Sequence, residues 1–148
     1  MVVGTTLAPG YWRAIVQENV EAARAQYERW NARQLEAWID GFHPEVDYTS
    51  SVTAGLFGQG DYHGHEGLRS FLAQYFEAWE YFRLEPREYI PADDRVVVVM
   101  DAFARGHTSG VVVEHEIAHI WSFRDGLAIR HESYASREEA LEAVGLSE

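Results

Sequence analysis

The sequence of 148 residues contains no cysteine and no lysine. Without cysteine the chain has no disulfide framework, no zinc ribbon and no thiol nucleophile. Without lysine it has neither Schiff-base chemistry nor the phosphate-binding lysine of a Walker motif. All twelve basic residues are therefore arginines. Any catalytic chemistry must come from side chains other than cysteine and lysine.

Positive charge and long apolar runs are also scarce. The 24 acidic residues outnumber the 12 basic ones, and the formal net charge is −12. Such a surface repels phosphate backbones, so we expect no nucleic-acid partner. No stretch approaches the ~20 apolar residues of a membrane span, so we expect no membrane partner. The first nine residues carry no basic residue ahead of their short apolar run, which predicts a cytoplasmic protein without a secretory signal.

Apolar and aromatic residues are abundant. They make up 47% and 14% of the chain, enough for one sizeable core and indicative of an aromatic-lined interior or interface. We expect a single domain over residues 1–148. Residues 1–10 would form a loose leader, and residues 136–148 would contain a C-terminal helix.

Apolar residues spaced three and four apart predict helices in the first half. The first helix spans about residues 11–32. The second contains Leu35, Trp38, Ile39 and Phe42 and is closed by Pro44. Residues 45–53 are expected to be extended and to lead into a glycine-rich connection. The third helix carries an apolar stripe from Leu68 to Trp79.

The pattern of the second half of the sequence predicts β-strands. We expect three or four strands, at about 82–90, 95–105, 111–123 and 127–135. A helix follows that Ser136 and Glu139 start as a capping box and that ends near Gly145. Helices followed by antiparallel strands predict an α+β fold with the helices on one face of a curved sheet. Asp101 follows five apolar residues, and we expect its carboxylate to be solvated.

The hairpin after residue 123 decides which residues share a face. Residues 124–126 predict a three-residue loop with Gly126 in a left-handed conformation, which pairs Phe123 with Leu127 and His119 with His131. One face would then carry His115, Ile117, His119, Trp121, Phe123, Ile129, His131 and Ser133. The other face would carry Glu114, Glu116, Ala118, Ile120, Arg130, Glu132 and Tyr134. A two-residue loop would instead bring His119 opposite Glu132.

Several segments resemble SnoaL-like proteins of the nuclear transport factor 2-like superfamily. They are residues 18–20, 27–31, 35–37, 42–46, 62–68, 118–126 and 137–141. The resemblance implies a cone-shaped fold, in which a long N-terminal helix and two further helices pack on a curved antiparallel sheet around a mostly apolar cavity. Relatives commonly pair through the outer sheet face, so apolar Ala118, Ile120 and Tyr134 on that face predict a homodimer.

The resemblance also assigns site residues. His119 matches the pocket histidine of SnoaL-like cyclases and the oxyanion-binding acid of ketosteroid isomerases. Ser133 and Tyr48 lie where the cyclases and the isomerases, respectively, carry an aspartate. The Arg-x-Asp pair of limonene-type epoxide hydrolases is replaced by Ile117 and His119, so that activity is not expected. The set of Tyr27, Tyr48, His119 and Ser133 resembles scytalone-type dehydratases in residue type.

Two functions follow from these residues. The first is a cofactor-free acid/base enzyme, a dehydratase, isomerase or cyclase, acting on a small apolar molecule with a carbonyl or hydroxyl group. His119 would polarise an oxygen, Tyr27 and Tyr48 would orient it, and His131 or Ser133 would relay a proton. The predicted walls of the substrate pocket are Trp30, Phe71, Tyr75, Ile117 and Trp121.

The second function is a non-catalytic small-molecule binder or dimeric scaffold, which the missing aspartates favour. No metal or organic cofactor is expected for either function. His115 and His119 lie roughly 13 Å apart along their strand, too far to share one ion. His119 and His131 face each other, but no carboxylate is predicted on their face of the hairpin to complete a metal site.

Overall fold

The computed structural model describes residues 9–146. Its helices are α1 (Pro9–Asn31), α2 (Leu35–Asp40), α3 (Ser51–Phe57), α4 (Gly64–Ala78) and α5 (Arg137–Ala143). Its strands are β1 (Phe42–Thr49), β2 (Asp61–His63), β3 (Trp79–Ala92), β4 (Arg95–Gly106), β5 (Val112–Arg124) and β6 (Leu127–Tyr134).

The six strands form one curved sheet in the order β2-β1-β6-β5-β4-β3. The predicted α+β fold, with a long N-terminal helix packed on this sheet, is confirmed. The sheet is not purely antiparallel, however, because β1 runs parallel to β6 while the other neighbouring strands are antiparallel. An aromatic core with Trp30, Trp38 and Phe71 fills the space between the helices and the concave face.

The second helix is shorter than the sequence pattern predicts. Phe42 and Pro44 belong to β1, and the helix ends at Asp40. Phe42 is fully buried between Trp38 and Trp121, so tertiary packing decides its conformation rather than helical spacing. The register between β1 and β6 is irregular around Pro44, where the missing N–H prevents regular pairing.

Helix α3 is absent from the sequence prediction, which expects extended chain and a loop there. Ser50 caps it by accepting a hydrogen bond from the Thr53 N–H at 3.3 Å. Gly58, with φ of 75°, ends it in the left-handed conformation. A serine cap and a terminal glycine are ordinary helix signals, but only seven residues, about two helical turns, lie between them.

The two ends of the described chain differ slightly from expectation. Helix α1 begins at Pro9, inside the predicted leader, and residues 1–8 lie outside the described part. Proline suits the first helical position because its missing N–H has no helical partner there. Helix α5 ends at Ala143, earlier than residue 148, and Gly145 follows in a left-handed conformation with φ of 80°.

The β5–β6 hairpin has a two-residue loop, so the predicted three-residue loop is wrong. Asp125 and Gly126 have φ of 53° and 81°, as a tight turn between twisted strands requires. Arg124 therefore pairs with Leu127. Ile129 has no partner across the hairpin, since Phe123 pairs with Ala128 and Ser122 with Arg130. This one-residue bulge shifts the register again.

The bulge preserves the predicted inner face. Without it, the two-residue loop would place His119 opposite Glu132; with it, His119 lies opposite Ser133 and Trp121 opposite His131. The prediction that His119 lies directly opposite His131 is therefore wrong. The two residues are diagonal neighbours. Ala128 replaces Ile129 in the core.

The convex face of the sheet is partly covered by α5. Ala118 and Ile120 are buried there with Val97, Val99 and Ala140, and Tyr134 packs against this cluster. Two of the three residues that predicted a dimer surface are therefore inaccessible, although the homodimer itself stays a prediction. Within residues 9–146, no helix is long and apolar enough to cross a membrane.

Candidate functional site

A cavity of about 160 Å³ lies between the concave face of the sheet and helices α1, α2 and α4. An engineered apolar cavity of roughly 150 Å³ holds one benzene ring, so this chamber has room for one aromatic ring. It is lined by all ten predicted site residues, namely Tyr27, Trp30, Tyr48, Phe71, Tyr75, Ile117, His119, Trp121, His131 and Ser133. Their common location is thus established, while their roles stay predictions.

The mouth of the cavity contains residues that sequence reasoning missed. Ser50, Ser51 and Val52 line it from the start of α3, and Tyr134 and Ala135 from the end of β6. Recognising the Ser50 cap would have placed the first three there. His115, predicted on the inner face, lines the cavity but is exposed at its edge.

A hydrogen-bond relay fixes the orientation of His119. The indole N–H of Trp121 donates to the Tyr27 hydroxyl oxygen at 2.8 Å, and this hydroxyl lies 2.7 Å from Nδ1 of His119. An indole nitrogen can only donate, so Tyr27 accepts from Trp121. Within the described segment, Nδ1 of His119 is the one acceptor that the Tyr27 O–H reaches, so Tyr27 donates its proton to Nδ1. A neutral imidazole that accepts at Nδ1 carries its proton on Nε2.

The His119 Nε2–H group is available to a ligand. It has no hydrogen-bond partner among residues 9–146, and Nε2 is not one of the fully enclosed polar atoms of that segment. Burial lowers the pKa of His119 to about 3, so the ring is neutral near neutral pH. His119 is therefore a neutral hydrogen-bond donor that faces the cavity, not an imidazolium.

The same relay occupies Tyr27 completely. Its hydroxyl accepts from one side chain and donates to another, and burial raises its phenol pKa well above the ordinary value, partly offset by the Trp121 hydrogen bond. Tyr27 is therefore a positioning residue for His119. The expected direct contact between Tyr27 and a substrate oxygen has no free donor to support it.

His131 is buried beside His119. The two ring centroids are 4.4 Å apart, and Tyr48 also stacks on the His131 ring with a centroid distance of 4.2 Å. The pKa of His131 lies well below its ordinary value because of burial and because of its neighbour His119, while the Thr49 backbone opposes that shift. Among the described residues, its Nδ1 is enclosed without a hydrogen-bond partner, and Nε2 is neither enclosed nor bonded.

Two further hydroxyl groups line the cavity without bonding to the protein. Neither Tyr48 nor Tyr75 makes a hydrogen bond through its hydroxyl within residues 9–146, and neither oxygen is enclosed. Burial raises both phenol pKa values, so both groups stay protonated and can donate. The orienting role expected of Tyr48 stays a prediction.

Ser133 has a structural contact that bears on its expected catalytic role. Its Oγ accepts a hydrogen bond from the Ser51 N–H at 3.1 Å and lies 3.4 Å from the Ser51 hydroxyl. The serine thereby ties β6 to the first turn of α3. A proton relay through Ser133 would have to compete with this contact.

Formal charge is absent from the cavity wall. No Asp, Glu or Arg of the described segment lines it. Asp101 lies on the outer face, where its carboxylate is 40% exposed and pairs with Arg87 at 3.2 Å, so its expected solvation is confirmed. No three His, Asp or Glu side chains within residues 9–146 come together as a metal site would require.

Comparison with known proteins assigns the family. The model of the SnoaL-like domain matches residues 23–131. The solved structure of TerC, co-crystallised with polyporic acid, is 32% identical and aligns over 86% of this chain and 98% of TerC, with a TM-score of 0.73. No protein with a curated description matches the sequence.

Two more distant structures show the same fold. An NTF2-like protein of unknown function from Burkholderia pseudomallei K96243 is 24% identical over 86% of this chain and 97% of its own, with a TM-score of 0.74. A candidate SnoaL-like polyketide cyclase from Jannaschia sp. CCS1 is 19% identical over 95% and 97%, with a TM-score of 0.68.

Proposed function

The chain belongs to the SnoaL-like family, and on that premise we propose that it is a cofactor-free enzyme of the isomerase, dehydratase or cyclase type. Its substrate would be an aromatic molecule bearing a carbonyl or hydroxyl group. The observation that carries this proposal is the relay from Trp121 through Tyr27 to His119, which directs a neutral Nε2–H into the cavity.

A neutral imidazole is suited to stabilising an oxyanion. It donates one hydrogen bond to a carbonyl oxygen, and that bond strengthens as the oxygen gains negative charge in the transition state. Because the low pKa keeps the ring neutral, His119 polarises the oxygen as a neutral hydrogen-bond donor and not as an imidazolium. The preorganised donor needs no reorientation during the reaction.

His131 is the proposed base. We assign the proton of the neutral His131 ring to its enclosed Nδ1, which leaves a lone pair on Nε2 towards the cavity. In the proposed step, Nε2 takes a proton from the carbon next to the carbonyl, and the C–H electron pair moves to form the enolate that His119 holds. The imidazolium and the enolate carry opposite charges and stabilise each other at close range. Return of the proton to another carbon completes an isomerisation. Transfer of the proton to a neighbouring hydroxyl, which leaves as water while the enolate collapses to the unsaturated carbonyl, completes a dehydration.

The comparison with TerC supports an aromatic, oxygen-bearing ligand, since TerC was co-crystallised with polyporic acid. The aromatic wall of Trp30, Phe71 and Trp121 supports the same class of ligand. With about 160 Å³ available, one ring would lie inside and any remaining part of the molecule would extend towards the mouth.

A non-catalytic binding protein is the second candidate. One observation favours it: Tyr48 and Ser133 lie at the two positions for which relatives predict aspartates, and no carboxylate of the described segment lines the cavity. Both imidazoles also have low pKa values, which weakens them as bases. Such a protein would hold its ligand through the same donors without turning it over.

The test uses 2-tetralone, an enolisable aromatic ketone, in D₂O. Catalysis predicts that the protein accelerates deuterium exchange next to the carbonyl, as followed by proton NMR. His119→Ala should abolish this acceleration, and His107→Ala, which does not line the cavity, should not. Binding of 2-tetralone without faster exchange would support the binding protein. No binding, or exchange unaffected by His119→Ala, would overturn the proposed enzyme.

We also infer a homodimer, formed through the part of the outer sheet face that α5 leaves open. Tyr81 and Val112 are 48% and 68% exposed there, close to Phe103. Light scattering after size exclusion should give twice the chain mass, and Val112→Glu should reduce it to the mass of one chain. A monomeric wild-type protein would contradict this. The cytoplasmic location stays a prediction from the sequence.

A further inference from the structure

Two imidazole rings lie side by side at the floor of the cavity. The centroids of His119 and His131 are 4.4 Å apart, and the ring planes are inclined at 66°. Within the described part of the chain, neither Nε2 atom has a hydrogen-bond partner and neither is enclosed. A ligand that reaches the floor therefore meets two unpartnered ring nitrogens, not one.

The neighbouring side chains hold both rings in place. Tyr48 stacks on His131 with planes only 6° apart, and the edge of Trp121 contacts the same ring at 4.6 Å. His119 is fixed by its bond from Tyr27. Because neither ring is free to turn, the separation and direction of the two nitrogens select between ligand shapes.

The closeness of the rings limits the ligand. Hydrogen bonds span about 2.7–3.2 Å between heavy atoms, so two ligand oxygens that bond to both rings must lie next to each other. Oxygens on neighbouring ring carbons satisfy this condition. Oxygens on opposite sides of an aromatic ring system point away from each other, and only one of them can reach the floor.

The polarity of the pair matches such a ligand. His119 donates through Nε2–H, and the Nε2 of His131 can accept from a hydroxyl group. No charged side chain of the described segment lines the cavity, so charge does not override the hydrogen bonds. An aromatic ring with a hydroxyl next to another hydroxyl or to a carbonyl satisfies both nitrogens at once.

We propose that the His119–His131 pair makes this protein selective for aromatic molecules with two oxygens on neighbouring ring carbons. His131 is then a specificity-determining residue that contacts the second oxygen. This inference rests on the proposed function only in taking the cavity as the ligand site.

The test compares three naphthalenes that differ only in their hydroxyl groups. They are 2,3-dihydroxynaphthalene, 2,7-dihydroxynaphthalene and 2-naphthol, with dissociation constants measured by titration of their fluorescence at pH 7. One additional hydrogen bond in a desolvated site is worth about tenfold in affinity. We therefore expect the 2,3-isomer to bind about tenfold more tightly than the other two, which should bind alike.

A variant isolates the second nitrogen. His131→Phe removes both ring nitrogens but keeps an aromatic ring against Tyr48. It should weaken binding of the 2,3-isomer to the level of the 2,7-isomer and leave 2-naphthol unchanged. If this variant does not fold, the wild-type protein answers the question through ¹⁵N NMR: the His131 Nε2 resonance should move with the 2,3-isomer and stay in place with the 2,7-isomer.

Three results would overturn the inference: equal affinities for the two isomers, selectivity that survives in His131→Phe, or no binding of any of the three naphthalenes. The deuterium-exchange test is independent of these. If the protein does not accelerate deuterium exchange but still prefers the 2,3-isomer, only the proposed catalysis is wrong. If it accelerates exchange but binds the two isomers alike, only the role of His131 in specificity is wrong.

Discussion

The hydroxyl of Tyr27 lies 2.7 Å from Nδ1 of His119, although 92 positions separate the two residues in the sequence. Tyr27 belongs to the long helix and His119 to the middle of β5, so the contact joins the two layers of the fold at the cavity floor. It also determines which nitrogen of His119 faces a ligand. One buried hydrogen bond thus couples the stability of the layers to the chemistry of the site.

Replacing Tyr27 by phenylalanine should lower the stability of the protein and impair the chemistry of the site. Tyr27→Phe leaves the Trp121 N–H and the His119 Nδ1 without a partner, which should lower the free energy of unfolding by about 1–3 kcal/mol. It also frees His119 to adopt the other tautomer, so deuterium exchange in 2-tetralone should slow. Tyr75→Phe is the stability control because its hydroxyl has no hydrogen-bond partner in the described segment. Urea unfolding measures both variants, and equal losses would contradict the relay.

The buried histidines should make the protein less stable in acid. Burial holds the pKa of His119 near 3 and that of His131 well below its ordinary value of 6.5. Between pH 6.5 and those values the unfolded chain binds protons that the folded chain does not. The free energy of unfolding should therefore fall with decreasing pH, by up to about 1.4 kcal/mol per pH unit for each histidine.

The measurement is urea unfolding at several values between pH 7 and pH 5, where most carboxylates have not yet titrated. His131→Phe removes one of the two groups, so its stability should depend less steeply on pH than that of the wild type. Identical slopes would show that His131 is not kept neutral by the fold.

His63 should behave in the opposite way. Its Nδ1 lies 3.0 Å from Asp47 and its Nε2 3.2 Å from Glu45, and these hydrogen bonds raise its pKa. The stabilisation that His63 gains from these two carboxylates is complete below pH 6.5. It is lost as the pH rises through the raised pKa of His63. NMR titration should place the His63 pKa above 6.5, and Asp47→Asn should lower it. An unchanged value in Asp47→Asn would assign the shift to another cause.

Deleting Ile129 should preserve the site. The deletion removes the unpaired residue, so Phe123 still pairs with Ala128, the next pair is still Ser122 with Arg130, and His119 stays opposite Ser133. His119 and His131 then remain on the inner face. We expect 2-naphthol binding to be retained in the deletion variant. Ile129→Ala keeps the chain length and should bind equally well. Loss of binding in the deletion variant alone would show that the bulge itself shapes the cavity.

Part of this site follows from strand alternation and part does not. Because side chains alternate with a period of two, His119, Trp121, His131 and Ser133 lie on one face in the predicted register. They also do so in the observed register, which differs from the predicted one by two residues. It cannot reveal Ile129 as a bulge, because a single unpaired residue leaves no compositional mark. The contact between Tyr27 and His119 depends on how a helix crosses a sheet, which spacing within either element does not encode.

Other errors in the sequence interpretation have similar physical causes. Phe42 continues the helical spacing of Trp38 and Ile39 but lies in a strand, because burial against neighbouring aromatic rings outweighs local propensity. The serine cap and terminal glycine of α3 enclose only seven residues, too few for an apolar period to emerge. A short element that is stabilised by long-range contacts cannot be predicted from the local sequence pattern.

Helix α5 has a consequence for the handling of this protein. It shields Val97, Val99, Ala118 and Ile120 from water. Residues 135–136 connect it to β6, and Arg137 also bonds to Glu88 and Glu116 of the sheet. A protease that cut between β6 and α5 would leave the helix held by non-covalent contacts alone, and its dissociation would expose an apolar surface on the convex face. Cleavage there would therefore make the protein prone to aggregation while the cavity on the concave face stayed intact.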